Sequence, residues 1–238
     1  MFEILLKKIH IFHNIYIKHK FFKTKKSYSM EGEDLVIIDL TKNIKNGFYV
    51  DAGSYHPLHL SNTYLLHKKN WCGINIDLSE FSTSLFNYMR PNDLNINAAI
   101  SDEEKDIVIY YQKKLSQLTT IKKQISQDRM QGNIKEKKVK SQTLNNILEN
   151  SKFKNRKIDF LNIDLEGADF EALQSLNFKI YRPSIICIEI NEKDIFNSKI
   201  FKFLNDRKYK MIWSSKSNLS HILIDSSEIS NLSSITHQ

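Results

Sequence analysis

The sequence predicts an α/β fold in which a mainly parallel sheet is covered by helices on both faces. Short, continuous apolar runs alternate with helical patterns along most of the 238 residues, as expected for strands that are buried on both faces. A chain of this length can form one large domain of this kind. Only six glycines and three prolines are present, which argues against a loop-rich all-β fold.

Two early predicted strands end on carboxylates. The first covers residues 47–51 and ends at Asp51, and the second covers residues 72–77 and ends at Asp77. In a doubly wound sheet these positions lie side by side at the carboxyl edge, where nucleotide-like ligands bind. The turn after the first strand has one glycine, Gly53, rather than the three of a dinucleotide fingerprint. We therefore expect an adenosine without a pyrophosphate, with S-adenosylmethionine as the candidate ligand.

The remaining elements follow from periodicity and from helix-capping residues. Predicted strands lie at 95–100, 107–111, 158–164, 184–190, 208–213 and 221–225. Predicted helices lie at 31–43, 60–69, 79–90, 143–148, 169–176 and 194–205, with Ser79 and Thr143 as N-caps. The last two strands are joined by a turn-rich segment, which indicates a hairpin and hence an antiparallel final strand.

Three segments lie outside this pattern. Residues 113–138 are rich in Lys and Gln and lack apolar periodicity. They are too long for an ordinary loop, so we expect a partly ordered, mobile lid. The Ser-rich residues 226–238 are expected to form a frayed polar tail. Residues 1–26 are expected to precede the domain proper, which spans residues 27–225.

The net charge of +8 is concentrated in residues 1–26, which contain seven Lys and one Glu. Apolar residues recur there at helical spacing, so we predict a basic amphipathic helix. It either rests on an anionic membrane surface or packs on the domain or on a second copy of the chain, and we favour packing. The segment has neither the long uncharged stretch of a transmembrane helix nor a signal-peptide cleavage site.

Composition also limits the partners and the compartment. Because the charge is local rather than spread over the domain, no nucleic-acid partner is expected. Cys72 and Cys187 fall inside predicted strands, where buried, inert thiols are the usual case. Nothing indicates a disulfide framework or a zinc site. A cytoplasmic protein is therefore expected, in contact with the inner face of the membrane if the N-terminal helix binds there.

Seven motifs occur in order along about residues 27–225. They are S-Y-S-M-E-G-E-D at 27–34, G-F-Y-V-D-A-G-S at 47–54, S-N-T-Y-L-L at 61–66, N-W-C-G-I-N-I-D at 70–77, I-N-A-A-I-S at 96–101, I-D-F-L-N-I-D-L-E-G at 158–167 and R-P-S-I-I-C-I-E at 182–189. Together they resemble the motifs of the FkbM family of methyltransferases. The chain departs from them at Met30, where the family usually has Gln, and at Asp77, where Glu is commoner.

The resemblance implies the class I methyltransferase fold, a Rossmann-like seven-stranded sheet with an antiparallel final strand. It also implies bound S-adenosylmethionine and methyl transfer to oxygen of a small molecule or glycan. We expect methylation of a sugar hydroxyl in cell-envelope polysaccharide biosynthesis. Another small-molecule hydroxyl, an amine or a phosphorus-linked oxygen stays open as the acceptor, as does a non-enzymatic scaffold. A nucleic-acid amino-methyltransferase would carry a D-P-P-Y-like segment where this chain has D-L-E-G.

Cofactor contacts are expected from the first turn and from the ends of the following strands. The backbone of the turn would approach the methionine part, since Gly53 has no side chain. Asp51 would hold the cofactor ammonium directly or through water, and Asp77 would accept hydrogen bonds from both ribose hydroxyls. Small side chains after the third strand would border the adenine. The expected cofactor residues are Asp51, Ala52, Gly53, Asp77, Ala98 and Asp164.

The D-L-E-G segment predicts the catalytic groups. Methyl transfer to a neutral alcohol requires proton removal, which a nearby carboxylate can supply. Glu166 is the candidate base, Asp164 would position cofactor or acceptor, and Glu189 is a third carboxylate at the end of the fifth strand. The alternative for each is a helix N-cap or a surface ion pair. Three carboxylates could also bind Mg²⁺, but no metal is expected because carboxylates alone specify no coordination geometry.

Residues near the first turn are candidates for the acceptor pocket. His56 and His59 flank that turn, although an isolated His beside a Pro turn is more often exposed and without a role. Asn62, inside the S-N-T motif, is the better candidate and would bond the acceptor or the cofactor carboxylate.

Overall fold

The computed structural model describes residues 2–19 and 25–229, and its main feature is a seven-stranded sheet. The strand order is β3-β2-β1-β7-β8-β10-β9. Strands β1, β2, β3, β7 and β8 run parallel, and β10 lies antiparallel between β8 and β9. The main-sheet strands are β1 Phe48–Ala52, β2 Cys72–Asp77, β3 Leu94–Asn97, β7 Phe160–Ile163, β8 Ile185–Glu189, β9 Tyr209–Ser214 and β10 Ser220–Asp225. The predicted fold class, with its antiparallel final strand, is confirmed.

The centre of the sheet is buried because its strands are almost wholly apolar. All five residues of β1 are buried, and so are all four of β7. The chain leaves β1 toward β2 on one side and later returns to β7 on the other side. The strand order therefore reverses at β1, and the carboxyl ends of β1, β2 and β7 open a crevice there.

Eight α-helices are described, and two of them start at the predicted N-caps. Ser79 Oγ accepts a hydrogen bond from the Ser82 amide, and Thr143 Oγ1 accepts one from the Asn146 amide. These side chains satisfy amides that lack a partner inside the helix. The helices are α1 Phe2–Phe12, α2 Glu33–Leu40, α3 Tyr64–Lys68, α4 Glu80–Met89, α5 Lys123–Arg129, α6 Leu144–Glu149, α7 Asp169–Gln174 and α8 Lys199–Asp206.

A small three-stranded sheet interrupts the main fold after β3. It contains β4 Ala99–Ile100, β5 Asp106–Tyr111 and β6 Lys135–Gln142, in the order β4-β6-β5. The strand predicted at 95–100 is therefore divided: β3 pairs with β2, and β4 pairs with β6. Helix α5 and the start of β6 fall inside the predicted lid. Apolar periodicity does not reveal β6 because its first four residues are exposed.

The N-terminal helix packs on the domain through one side. Helix α1 continues as a π-helix over His13–Lys18, and Ile11 and Ile15 form a small apolar cluster with Leu85 of α4. This contact corresponds to packing on the domain. The opposite side is exposed and apolar, with Phe2 72%, Leu5 55% and Ile9 51% accessible. The predicted polar tail lies outside the described residues from residue 230 onward.

Candidate active site

The turn after β1, which contains Gly53, is held by contacts that the sequence predicts only in part. Gly53 has φ of +88°, and a Cβ there would lie 1.8 Å from the Asp164 carbonyl oxygen. The missing side chain thus lets the β1 turn and the β7 turn approach each other. Asp51 is buried and accepts hydrogen bonds from Thr63 Oγ1 at 2.7 Å and Asn162 Nδ2 at 2.9 Å. Ala52, fully buried, ends β1.

A buried arginine, which the sequence did not predict, stabilises this turn through hydrogen bonds. The side chain of Arg90 is fully buried at the C-terminus of α4. Its guanidinium donates to Thr63 Oγ1 at 2.8 Å, to Tyr49 Oη at 2.9 Å and to the Pro57 carbonyl at 2.6 Å. Thr63 in turn donates to Asp51, so the cation and the carboxylate are linked through one hydroxyl. No local pattern marks Arg90, because its partners come from three other elements.

Asp77 lies at the end of β2 with its carboxylate already oriented. One oxygen accepts from the Tyr55 amide at 2.8 Å and the other from the Ser79 amide at 2.7 Å. Burial raises the pKa of Asp77 to about 6, although the two amides oppose the rise. Each oxygen keeps a lone pair for a further donor, so the group can accept two hydroxyls side by side.

The D-L-E-G turn follows β7 in a backbone conformation that non-glycine residues rarely adopt. Glu166 has φ of +50° and Gly167 has φ of +92°. Asp169, at the start of α7, accepts from the Leu165 amide at 2.8 Å and the Gly167 amide at 3.0 Å, which holds the turn closed. Strained positions of this kind cluster at functional sites. Neither Asp164 nor Glu166 serves as the cap of α7.

The carboxyl groups around this turn stay protonated to unusually high pH. Burial and the neighbouring Glu189 raise the pKa of Glu166 to about 7, and they do the same for Asp169. The surrounding protein and the nearby carboxylates raise the pKa of Asp164 well above its usual range, although its side chain is exposed to the cavity. A base with a pKa near neutrality is well suited to proton transfer at physiological pH.

The predicted lid, residues 113–138, is called the insertion below, and it supplies a cation to the candidate base. Arg129 of α5 forms an ion pair with Glu166, with Nη1 and Oε2 at 2.5 Å, and also donates to Asn191 Oδ1 at 3.2 Å. Thr120 Oγ1 donates to the Glu166 carbonyl at 2.8 Å. Two side chains of the predicted lid segment therefore contact Glu166, one at its carboxylate and one at its carbonyl. Sequence reasoning missed Arg129 because nothing near it indicates a carboxylate partner.

The carboxylates and the first turn surround a cavity of about 120 Å³. Six acidic side chains line it, and among the described residues no Lys, Arg or His does. The acids are Glu33, Asp51, Asp77, Asp164, Glu166 and Glu189. The volume is below the 300–1,000 Å³ usual for small-molecule sites, so a nucleoside would extend beyond it or displace part of the wall.

Two further residues of the cavity wall come from the N-terminal motif. Glu33 and Met30 both line the cavity. Asp34 positions this motif by accepting from Ser27 Oγ at 2.7 Å and from the Tyr28 amide at 2.6 Å. The S-Y-S-M-E-G-E-D motif thus folds against the site, and Glu33 adds a carboxylate that the sequence reasoning did not assign.

The structure places the other expected residues as follows. Asn62 lines the cavity and donates to Asn162 Oδ1 at 2.9 Å. Glu189 also lines it, and its Oε2 is buried without a hydrogen-bond partner among the described residues. Ala98 does not line the cavity, and its amide donates to the Asp77 carbonyl at 3.1 Å.

The structure places His56 outside the wall of this cavity, with its ring fully buried. His56 Nδ1 accepts from the amides of Leu58 and His59, so the ring holds the loop after the first turn. His19 lies edge-on to His56 at 4.8 Å and stacked on His59 at 4.2 Å, measured between ring centroids. The rings of His56 and His59 thus hold His19 against the loop after the first turn.

The acidic cavity suits a ligand that carries positive charge and neighbouring hydroxyls. Glu189 Oε2 and the free lone pairs of Asp77 can accept hydrogen bonds from such a ligand. Within residues 2–19 and 25–229, no group of three or more His, Cys, Asp or Glu side chains is arranged to hold a metal ion. None of the described helices is long and apolar enough to cross a membrane.

Comparison with known protein families identifies the family of this chain. Residues 51–211, about two thirds of the chain, match the family described as the methyltransferase FkbM domain. The chain belongs to the FkbM family. It is a methyltransferase, and the FkbM match includes the first turn, Asp77, the insertion and the D-L-E-G turn. Comparison with curated proteins and with solved structures gives no match.

Proposed function

We propose that this FkbM protein is an S-adenosylmethionine-dependent O-methyltransferase acting on a sugar or glycan hydroxyl in cell-envelope polysaccharide biosynthesis. The observation that carries the cofactor assignment is the cavity lined by six carboxylates and, among the described residues, by no basic side chain. S-adenosylmethionine brings a sulfonium and an ammonium, so such a lining attracts it and favours it over anionic nucleotides.

Asp77 is the proposed ribose ligand. Its two oxygens are fixed by the amides of Tyr55 and Ser79, which leaves them directed to accept two adjacent hydroxyls. The carboxylates of Asp164 and Asp51 lie at the neighbouring strand ends and complement the positive charges of the methionine part. Bound cofactor supplies an electrophilic methyl group on sulfur.

Glu166 is the proposed base for the acceptor hydroxyl. Its pKa of about 7 lets it exist as a carboxylate at neutral pH and still have affinity for the proton that it removes. Alignment of the hydroxyl with the methyl group accounts for much of the remaining rate acceleration. Glu189 and Asn62, on the same cavity wall, are proposed to orient the acceptor.

An Asp77→Ala exchange tests the cofactor assignment. It removes two charge-assisted hydrogen bonds to the ribose, each with a free energy of about 1.5–3 kcal/mol. Calorimetric titration with S-adenosylmethionine should show affinity weaker by about ten-fold or more. Asp206→Ala, which removes an exposed carboxylate at the end of α8, is the matched control. Unchanged affinity in a folded Asp77→Ala protein would contradict the assignment.

The acceptor is tested separately with labelled cofactor and a panel of nucleotide-sugars and cell-envelope glycans. Transfer of label to a sugar hydroxyl is the expected result. Label on an amine or a phosphorus-linked oxygen would favour those acceptors, and binding of cofactor without transfer to any class would favour a scaffold role.

A further inference from the structure

A second, larger space adjoins the acidic cavity. It is a groove of about 880 Å³ between α1, the turn from β2 to α4, and the small sheet. This volume lies within the range of small-molecule sites. The groove and the acidic cavity share Leu78 and Thr119 in their walls. A ligand in the groove therefore lies next to the proposed cofactor site.

The groove is basic, in contrast to the cavity beside it. Its acidic residues are Glu3 and Glu80, and Glu80 is paired with Lys7 at 3.4 Å. Within the described part of the chain, none of the other four groove lysines has a carboxylate within ion-pair distance. The basic residues of the groove are Lys7, His10, Lys18, Lys113, Lys114 and Lys137.

These lysines come from three separate elements. Lys18 ends the π-helix that continues α1, Lys113 and Lys114 follow β5, and Lys137 belongs to β6. Unpaired like charges that converge on one concave surface repel each other, and a bound anion relieves that repulsion. Phe81 and Tyr111, both half-buried in the groove wall, offer faces against which a sugar or base ring can pack.

One stretch of the insertion runs from the groove to the candidate base. Lys113 and Lys114 line the groove, Ser116 and Gln117 line the acidic cavity, and Thr120 binds the Glu166 carbonyl. A ligand that lies along this stretch has its anionic part among the lysines while another part approaches Glu166.

We propose that the groove binds the phosphate-bearing part of the methyl acceptor, so that the acceptor is a phosphorylated or nucleotide-linked sugar. The inference rests on the proposed function and specifies its substrate class. Opposite charge then separates the two ligands: the cationic cofactor is held by the carboxylates and the anionic acceptor by the lysines. Each site repels the ligand of the other, so each ligand is directed to its own site.

The test compares two double variants by calorimetry. Lys113→Gln/Lys114→Gln removes two charges from the groove, and Lys45→Gln/Lys179→Gln removes two from exposed connections at the amino edge of the sheet. The probes are inorganic pyrophosphate, uridine diphosphate glucose, uncharged methyl glucoside and S-adenosylhomocysteine. Circular dichroism confirms that each variant is folded.

The proposal predicts that both phosphate-bearing probes bind the unaltered protein, more weakly as salt rises, and that methyl glucoside does not bind detectably. The groove variant should lose about ten-fold or more in affinity for them, since charge-assisted contacts are removed. The amino-edge variant should bind them as the unaltered protein does. Affinity for S-adenosylhomocysteine should stay within about two-fold in both variants, because the carboxylates are untouched.

Two results would overturn the inference while leaving the cofactor assignment intact. One is binding of S-adenosylhomocysteine together with no binding of either phosphate-bearing probe. The other is equal loss of phosphate affinity in the two double variants, which would indicate a non-specific charge effect. Failure of S-adenosylhomocysteine to bind at all would instead overturn the proposed function on which the inference rests.

Discussion

Glu166 combines four features that rarely occur together in one surface residue. It lies in a left-handed backbone conformation, its side chain is only 15% exposed, its pKa is raised to about 7, and it pairs with Arg129. A surface ion pair alone explains none of the first three. Together they indicate a carboxylate that is held in place and kept poised between its two protonation states.

The Glu166→Gln exchange tests its role in proton removal. General-base assistance contributes about 10²–10⁴-fold, so turnover on the true acceptor should fall by that range while cofactor affinity changes little. In the unaltered enzyme kcat should rise as pH increases through 7, because the carboxylate form is the base, and this rise should disappear in the variant.

Asp164→Asn serves as the contrast for that experiment. Its carboxylate is exposed to the acidic cavity beside the first turn, so its loss should weaken cofactor binding as well as the rate. Near-normal turnover of Glu166→Gln would remove Glu166 from the role of base. Glu189 would be the next residue to test, since its Oε2 is buried without a partner among the described residues.

At the scale of elements, the insertion is the part most directly connected to the site. We predict that residues 113–138 act as a gate for the acceptor. The cavity volume of about 120 Å³ is too small to enclose a nucleoside. Ser116, Gln117 and Thr119 form part of the cavity wall. We therefore expect this segment to move when ligand enters. Arg129 is its charged contact with the D-L-E-G turn.

Hydrogen exchange measures that motion directly. Amides of 113–138 should exchange quickly without ligands and slowly with S-adenosylhomocysteine and acceptor bound. Arg129→Gln should speed exchange of α5, because the ion pair to Glu166 is lost, whereas Lys123→Gln on the same helix should not. Uniform slow exchange in all states would instead indicate a permanently packed subdomain.

The N-terminal helix is the second element with an unexplained surface. Its outer face exposes Phe2, Leu5, Ile9 and Phe12, each more than half accessible, and Lys8 lies beside them. Residues 1–26 carry seven Lys. An apolar helix face bordered by positive charge matches an anionic membrane surface. We propose that this face rests on such a surface while Ile11 and Ile15 hold the helix to the domain.

Vesicle sedimentation tests this proposal. The full chain should bind vesicles that contain anionic lipid better than neutral ones, and a chain starting at Ser27 should not bind. Leu5→Ser/Ile9→Ser should weaken binding about ten-fold or more, since each buried side chain contributes about 1.5–3 kcal/mol. Phe196→Ser, at an equally exposed position elsewhere, is the control. Loss of dimerisation rather than of vesicle binding would point to a second copy as the partner.

At the scale of the whole molecule, the acidic cavity has a consequence for stability. Glu166 and Asp169 have pKa values of about 7 in the folded protein, above the ordinary values of 4.5 and 3.8. The folded state therefore holds protons that the unfolded state has already released, and its stability falls as pH rises through 7. His19 and His59 have lowered pKa values, and their opposite effect continues until the histidines of the unfolded chain have lost their protons, at about pH 7.5.

Between pH 6.5 and 8, each of these two carboxyl groups should thus lower the free energy of unfolding by about 1 kcal/mol. Urea unfolding measures this free energy. Glu166→Gln should reduce the dependence, because Gln does not titrate. S-adenosylmethionine should also reduce it, since a bound cation favours the ionised carboxylates. An identical pH dependence of stability in the unaltered protein and in Glu166→Gln would contradict the raised pKa of Glu166.

The sequence by itself determined the architecture and the edge where the site lies. Apolar runs located the strands, and the carboxylates Asp51, Asp77 and Asp164 could be placed at the carboxyl edge because each directly ends or follows such a run. These are local properties: burial requires apolar residues, and the parallel order brings the strand ends to one side.

Only the tertiary structure decided which groups each carboxylate meets. Glu166 pairs with Arg129, 37 residues away, and Asn62 bonds Asn162, 100 residues away. Arg90 and His56 proved to be buried supports, and Gly53 proved to be required by the Asp164 carbonyl. The physical reason is that such contacts depend on how separate elements pack. Local propensity and periodicity describe each element alone and contain no information on its neighbours.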